Sequence, residues 1–202
     1  MLSSVMQRLN DRRDGAADLG EDAGFTLIEL MVVLLILAIL LAIAIPTFLG
    51  VTGGANDRAA QSNINTALTT AKTAETQNGQ TYAGITAASL HTSEPSINFL
   101  SGAIGTNGQG PVSVYVDANA TSDNGGGIVL ASYSSAGKCW YAVDNVGTIT
   151  DTTNAWATGT GTPTTPGQQY GVATTTAANC SASTLPTGSG APTWNAGSFP
   201  KG

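Results

Sequence analysis

Charge is what this chain has least of. Only 10% of its residues are Asp, Glu, Lys or Arg, and it holds a single histidine. So little histidine leaves acid–base catalysis near neutral pH with few groups to use. His91 stands among Ser89, Thr92, Ser93 and Glu94-Pro95 and reads as a surface residue in a loop. No Gly-rich loop with phosphate-binding spacing and no cluster with metal-ligand spacing is found, so no catalytic residue, metal or cofactor is assigned. The sequence reads as that of a protein that is not an enzyme. Its net charge of −6 offers nucleic acid no general attraction. Basic side chains are missing altogether between Arg13 and Arg58.

That interval holds the longest apolar run. From Leu30 to Ile45 no side chain is charged or strongly polar, and twelve of the residues are Leu, Ile or Val. With Phe25 to Glu29 in front, the run reaches the roughly 20 residues that a bilayer-crossing helix needs. Glu29 is the anomaly. The Leu, Ile and Val residues, at about −0.3 to −0.6 kcal/mol each, outweigh the roughly 3 kcal/mol that one acidic group costs at the helix centre. The helix is therefore expected to insert, with Glu29 in need of a partner. Cutting the chain after Gly24 would supply one, because the new α-amino group of Phe25 would be a cation one helical turn away. Arg8, Arg12 and Arg13 lie within about 15 to 20 residues of the span and keep residues 1–24 cytoplasmic. A cleaved secretory signal fits poorly, because the run is long and no small-residue site comes promptly after it.

Pro46 is expected to kink or open the helix, and Gly50, Gly53 and Gly54 weaken the turns just beyond it. Past these glycines Ala60, Ile64, Ala67, Leu68, Ala71 and Ala74 recur at helical spacing, opposite Gln61, Asn65, Thr69 and Lys72. The pattern predicts a helix that resumes near Asn56 or Asp57 and stops at Asn78-Gly79, so that a nearly continuous helix runs from Phe25 to about Gln77, with an independent amphipathic second helix as the alternative. Residues 80–110 read as an irregular connection with Tyr82, Ile85, Leu90, Ile97, Phe99 and Leu100 as anchors. The period then changes to two. Val112 to Val116, Ile128 to Tyr133 and Cys139 to Val143 read as antiparallel strands, with turns at 119–127 and 134–137 and a short fourth strand at Thr148 to Thr150. Roughly 150 residues lie beyond the apolar run, enough for one modest domain.

The run Gly24-Phe25-Thr26-Leu27-Ile28-Glu29-Leu30 at the head of an apolar helix strongly resembles the type IV pilin family. The motif covers about residues 24–49; beyond it the resemblance is one of layout. One departure is the acidic Glu21-Asp22 just before Gly24, where family leaders are generally basic. The resemblance implies an α+β fold: a long N-terminal helix whose outer half packs on a small antiparallel sheet, with a disulfide-bounded C-terminal region. It divides the chain into a leader (1–24), an apolar membrane and filament-core helix (25–55), an amphipathic half (56–79) and an extracellular head (80–202). It further implies cleavage by a prepilin peptidase between Gly24 and Phe25, N-methylation of Phe25, and pairing of Glu29 with the terminal amine of a neighbouring subunit. The partners would be other copies of the chain, the pilus assembly machinery and the cytoplasmic membrane. The functions implied are adhesion, motility or uptake by a surface filament. A minor pilin, a pseudopilin of a secretion or competence machine, and a membrane-anchored extracellular binding domain remain alternatives.

Cys139 and Cys180 would then lie outside the cell, where disulfides persist. One bridge is the simplest pairing and looks like the pilin C-terminal loop. Two free thiols as a redox or metal pair are the alternative, although no histidine or third cysteine lies nearby. Trp156, Tyr170, Trp194 and Phe199 are expected to pin this Thr- and Gly-rich region to the sheet. Other motifs carry less. Asp117, Asn119, Thr121 and Asp123 imitate the start of a calcium loop, but Ser122 and Ile128 stand where Gly and Glu are needed, so a hairpin turn is expected. Leu185-Pro186-Thr187-Gly188 lacks one residue of a sortase signal. The glycosylation patterns at Asn119 and Asn179 are short enough to be chance.

Overall fold

The computed structural model describes residues 25–105, 110–117, 119, 124–150, 152–157 and 159–201. Residues 1–24, expected to be a leader, and Thr121 and Asp123 of the calcium-like run lie outside them. The chain forms two compact units, Met1–Phe48 and Leu49–Gly202. The first consists, among the described residues, of the start of helix α1, Leu27–Gln77. The second holds the rest of α1 and a six-stranded sheet.

Helix α1 is one element and does not stop at the glycines. It continues through Pro46, Gly50, Gly53 and Gly54, so the nearly continuous helix expected to about Gln77 is present, without the opening expected before Asn56 or Asp57. The Thr47 hydroxyl donates to the Ile43 carbonyl at 2.5 Å, beside the carbonyl that Pro46 leaves without its usual donor. The helix ends where the sequence indicates. Gly79 turns at φ +76° and the Gln80 N–H reaches back 3.0 Å to the Glu75 carbonyl, a six-to-one closure.

The connection after α1 is more ordered than expected. It contains helix α2, Ala87–Ser93, started by a capping box between Thr86 and Ser89. Strand β1, Phe99–Leu100, then pairs parallel to β2, Val112–Val116. Strands β3, Gly127–Ser134, and β4, Lys138–Asn145, come next as a hairpin turned at Gly137. The sheet is completed by β5, Gly167–Thr174, and β6, Thr193–Ala196, in the order β1-β2-β3-β4-β5-β6. The sheet is therefore mixed and six-stranded rather than small and antiparallel. No strand forms at Thr148 to Thr150. The fourth and fifth antiparallel members come from the C-terminal region that reads as loop.

Side-chain alternation explains the layers. Ile128, Leu130, Trp140 and Ala142 face α1 and join Ala60, Ile64, Ala67, Leu68 and Ala71 in one core. Ile64 and Leu68 are the larger side chains that the helix contributes to this core, among alanines. Val129, Ala131, Tyr141 and Val143 face the other way and form a second core with Trp156, Ala173, Cys180, Ala182 and Leu185. The central strands are buried on both faces, which is why they read as continuous apolar runs.

Charges fix the register of α1 on the sheet. Asp57 meets Lys138 at 3.0 Å at the start of β4, and Lys72 meets Asp144 at 3.2 Å near its end. Fifteen helical residues and six strand residues each span about 20 Å. The two pairs therefore match in spacing along parallel directions.

Candidate functional site

The chemistry-bearing end of the chain is the start of α1. Phe25 and Thr26 precede the helix, and Phe25 is 88% exposed. Thr26 acts as N-cap: its carbonyl accepts from the Leu30 N–H at 3.3 Å, and its hydroxyl oxygen lies 3.3 Å from the Glu29 N–H. Glu29 answers in kind. One carboxylate oxygen, Oε2, accepts from the Thr26 N–H at 2.8 Å and from the Thr26 hydroxyl at 2.7 Å. This is a reciprocal capping box, Thr-x-x-Glu, which satisfies donors that a helix start leaves open. The Glu29 carboxylate thus has hydrogen-bond partners within its own turn. Sequence reasoning passed over Thr26, although its spacing from Glu29 carried the signal.

Below the cap the helix offers only apolar surface. Leu27, Ile28, every Leu, Ile and Val from Leu30 to Ile45, and Phe48, Leu49 and Val51 are all exposed, from 47% for Leu37 to 76% for Leu27. Among the described residues this is the one helix long and apolar enough to cross a membrane. A stripe of this size exposed to water would be unstable, so lipid or protein must cover it.

The remaining sequence candidates resolve as structure. Cys139 and Cys180 are bonded, with Cα atoms 5.5 Å apart, so the free-thiol alternative is set aside. Both are buried, and the bridge ties β4 to the segment that covers the second core. The expected aromatic pins are in place. Trp156 contacts Tyr115 at 6.0 Å between ring centroids, Trp194 contacts Tyr141 at 6.1 Å, and Phe199 contacts Tyr170 at 4.5 Å and Trp140 at 5.6 Å. His91 belongs to α2, not to a loop, with Nδ1 2.8 Å from the Ile97 carbonyl. Asp117 accepts from the Asn119 N–H at 3.0 Å, a local turn contact. Gly24 lies outside the described residues.

A helix headed by a capping box at Thr26 and Glu29, with an exposed apolar half and a disulfide-tied mixed sheet on its other half, makes an α+β, pilin-like arrangement. Comparison with family models places the chain more closely: residues 21–45 match the prokaryotic N-terminal methylation motif, the class III signal of type IV pilins. The motif marks a type IV pilin-like or pseudopilin protein, of a kind that serves as a structural subunit. It implies processing by a prepilin peptidase and assembly into a pilus-type system. Comparison with curated proteins gave no match, and neither did comparison with solved structures.

Proposed function

We propose that this chain is a prepilin, the major structural subunit of a type IV pilus. It waits in the cytoplasmic membrane with residues 1–24 inside and the head outside. A prepilin peptidase cuts between Gly24 and Phe25 and N-methylates Phe25. The mature subunit then joins a helical filament whose core is the packed apolar helices. The observation that carries this reading is the wholly exposed apolar half of α1 headed by Glu29. In the bilayer lipid covers that surface, and in a filament other subunits do. Such a heterologous contact repeats without closing and so propagates a fibre.

Glu29 sets the register through the terminal amine of a neighbouring subunit, and Pro46 is where the helix bends to fit. The capping box supports this role: Thr26 occupies one carboxylate oxygen, which leaves the other for the amine. Cleavage of the leader removes three arginines against five acidic residues and takes the net charge from −6 to −4, which keeps the outer surface acidic and unattractive to nucleic acid. The filament serves adhesion, motility or uptake. Replacing Glu29 by Ala tests the proposal: the variant should enter the membrane at wild-type level yet yield few or no sheared filaments. Filaments of normal number and length from Glu29→Ala would contradict the register role. A minor pilin or pseudopilin would show instead as scarce subunits in a filament built from another chain.

A further inference from the structure

We propose that the unit Leu49–Gly202 carries a docking surface for anionic lipid at its Leu49 end, where Arg58 and Lys201 meet the phosphate groups of the leaflet that the apolar run enters. The inference rests on the membrane reading proposed above. Charge in this unit is sorted along its length. At the Leu49 end the β3–β4 turn stands beside α1, for a Cβ at Gly53 would lie 3.9 Å from that of Ala136. Asp57 and Lys138 pair next to this turn, and Arg58 is the next residue of α1. Lys201 joins Lys138, Thr174 and Ser189 around a cavity of about 310 Å³. Acidic groups gather at the other end. Asp144 is near the end of β4, Glu75 is in the last turn of α1, and the Asp117 N–H donates to the Gly127 carbonyl at 2.9 Å. Glu94 follows Ser93, which lines a groove with Thr73 and Gln77 of the same half of α1.

Charge and position together single out lipid. Among the described residues the salt bridges are Asp57–Lys138 and Lys72–Asp144, and Arg58 and Lys201, both exposed, belong to neither. The Leu49 end is thus locally cationic in a chain whose net charge is −6. Arg58 follows Val51 by seven residues, which is two helical turns, so both lie on one face of α1 about 10 Å apart along its axis. Leu49 and Val51 are exposed and close the apolar run. The headgroup layer adds about 5–7 Å outside the hydrocarbon core. Helical side chains tilt toward the N-terminus, here toward Val51, and a long arginine can lay its stem on apolar surface while its guanidinium reaches phosphate. A second copy of the chain could offer its acidic end to the same cations. The place of Arg58 just beyond exposed Val51, on the same face, favours lipid.

The test uses the full-length chain reconstituted in vesicles, either of phosphatidylcholine alone or of phosphatidylcholine mixed equally with phosphatidylglycerol. An uncharged, membrane-permeant acylating reagent is added, and mass spectrometry of the peptides reads the rate at each lysine. Lys72, at the acidic end, is the internal control. Attraction of one cation to an anionic leaflet corresponds to about five-fold, so Lys201 should react about five-fold more slowly on the mixed vesicles than on the neutral ones. Lys72 should react alike on both. Arg58→Gln should restore most of the Lys201 reactivity, Arg58→Lys should keep the slowing, and salt near about 1 M should abolish it. Equal Lys201 rates on the two vesicles would overturn the inference, as would a slowing shared by Lys72 or one left intact in Arg58→Gln. Slowing found only in assembled filaments would also overturn it and give the cations to a second copy. A wild-type chain whose apolar run stays open to added protease in the vesicles would instead remove the membrane reading, and this surface with it.

Discussion

Lys72 and Tyr82 both end on Asp144, the ammonium at 3.2 Å and the phenol at 2.5 Å. Asp144 is 6% exposed, so its carboxylate oxygens are satisfied by these donors rather than by bulk water. Burial and the adjacent carboxylate push the Tyr82 hydroxyl far above its usual range, and it remains a donor at any working pH. Tyr82→Phe should destabilise the head by about 1.5–3 kcal/mol, the range for a hydrogen bond to a charged group, read as a lower melting temperature of the detergent-solubilised chain.

Asp57 gives a pH test. Burial alone would raise its pKa, but bonds from Ser134, Lys138 and Trp140 together bring it below the ordinary value. A lowered folded-state pKa contributes stability above the unfolded value, near 3.9, and loses it as pH falls through the folded value. Stability should therefore decline below about pH 4, and Asp57→Asn should be less stable at pH 7 with a flatter decline.

Gly171 sits between two rings. Its cross-strand partners are Tyr141 and Trp194, and a Cβ there would come within 2.8 Å of the indole. Gly171→Val should cost about 1–3 kcal/mol by overpacking, with loss of near-ultraviolet ellipticity. A glycine inside Gln-Gln-Tyr-Gly-Val-Ala reads as a strand breaker until Trp194, more than twenty residues later, is known to cover it.

At the scale of elements, legibility tracked the length of the periodic signal. The stripe from Ala60 to Ala74 runs over four turns, and its helix ends at Gln77 as its spacing and Asn78-Gly79 indicate. Strands β2, β3 and β4 carry strong β-branched and aromatic runs, and they lie where those runs do. Strands β5 and β6 do not. Most of their residues are half exposed, polar or glycine, and their place is set by pairing, β5 along the whole of β4 and β6 along β5, rather than by their own preference. The helix stays closed through the weak stretch at Gly50 to Gly54 for a related reason: each glycine costs only about 1 kcal/mol, and the ordered turns on both sides outweigh it.

The disulfide acts at this scale too. It closes 41 residues of sequence over the second core. The chain-entropy estimate gives about 4 kcal/mol for such a loop. Cys139→Ala with Cys180→Ala should lower the melting temperature and open the segment between Trp156 and Gly190 to limited proteolysis, while β2 to β4 stay protected. Uniform cleavage across the head would contradict a local role for the bridge.

For the whole molecule, the proposed function asks one surface to serve both storage and assembly. Among the described residues the apolar side chains from Leu27 to Val51 are exposed, and the rest of the chain holds two cores of its own. On that proposal the subunit moves from lipid to filament without refolding its head. The measurement that tests this most directly is unreduced intact-mass and N-terminal analysis of protein sheared from the cell surface. The account predicts chains that begin at N-methyl-Phe25, with the mass of residues 25–202 less two hydrogens for the Cys139–Cys180 bond. Chains that retain Met1, or a surface that releases none of this protein on shearing, would contradict it.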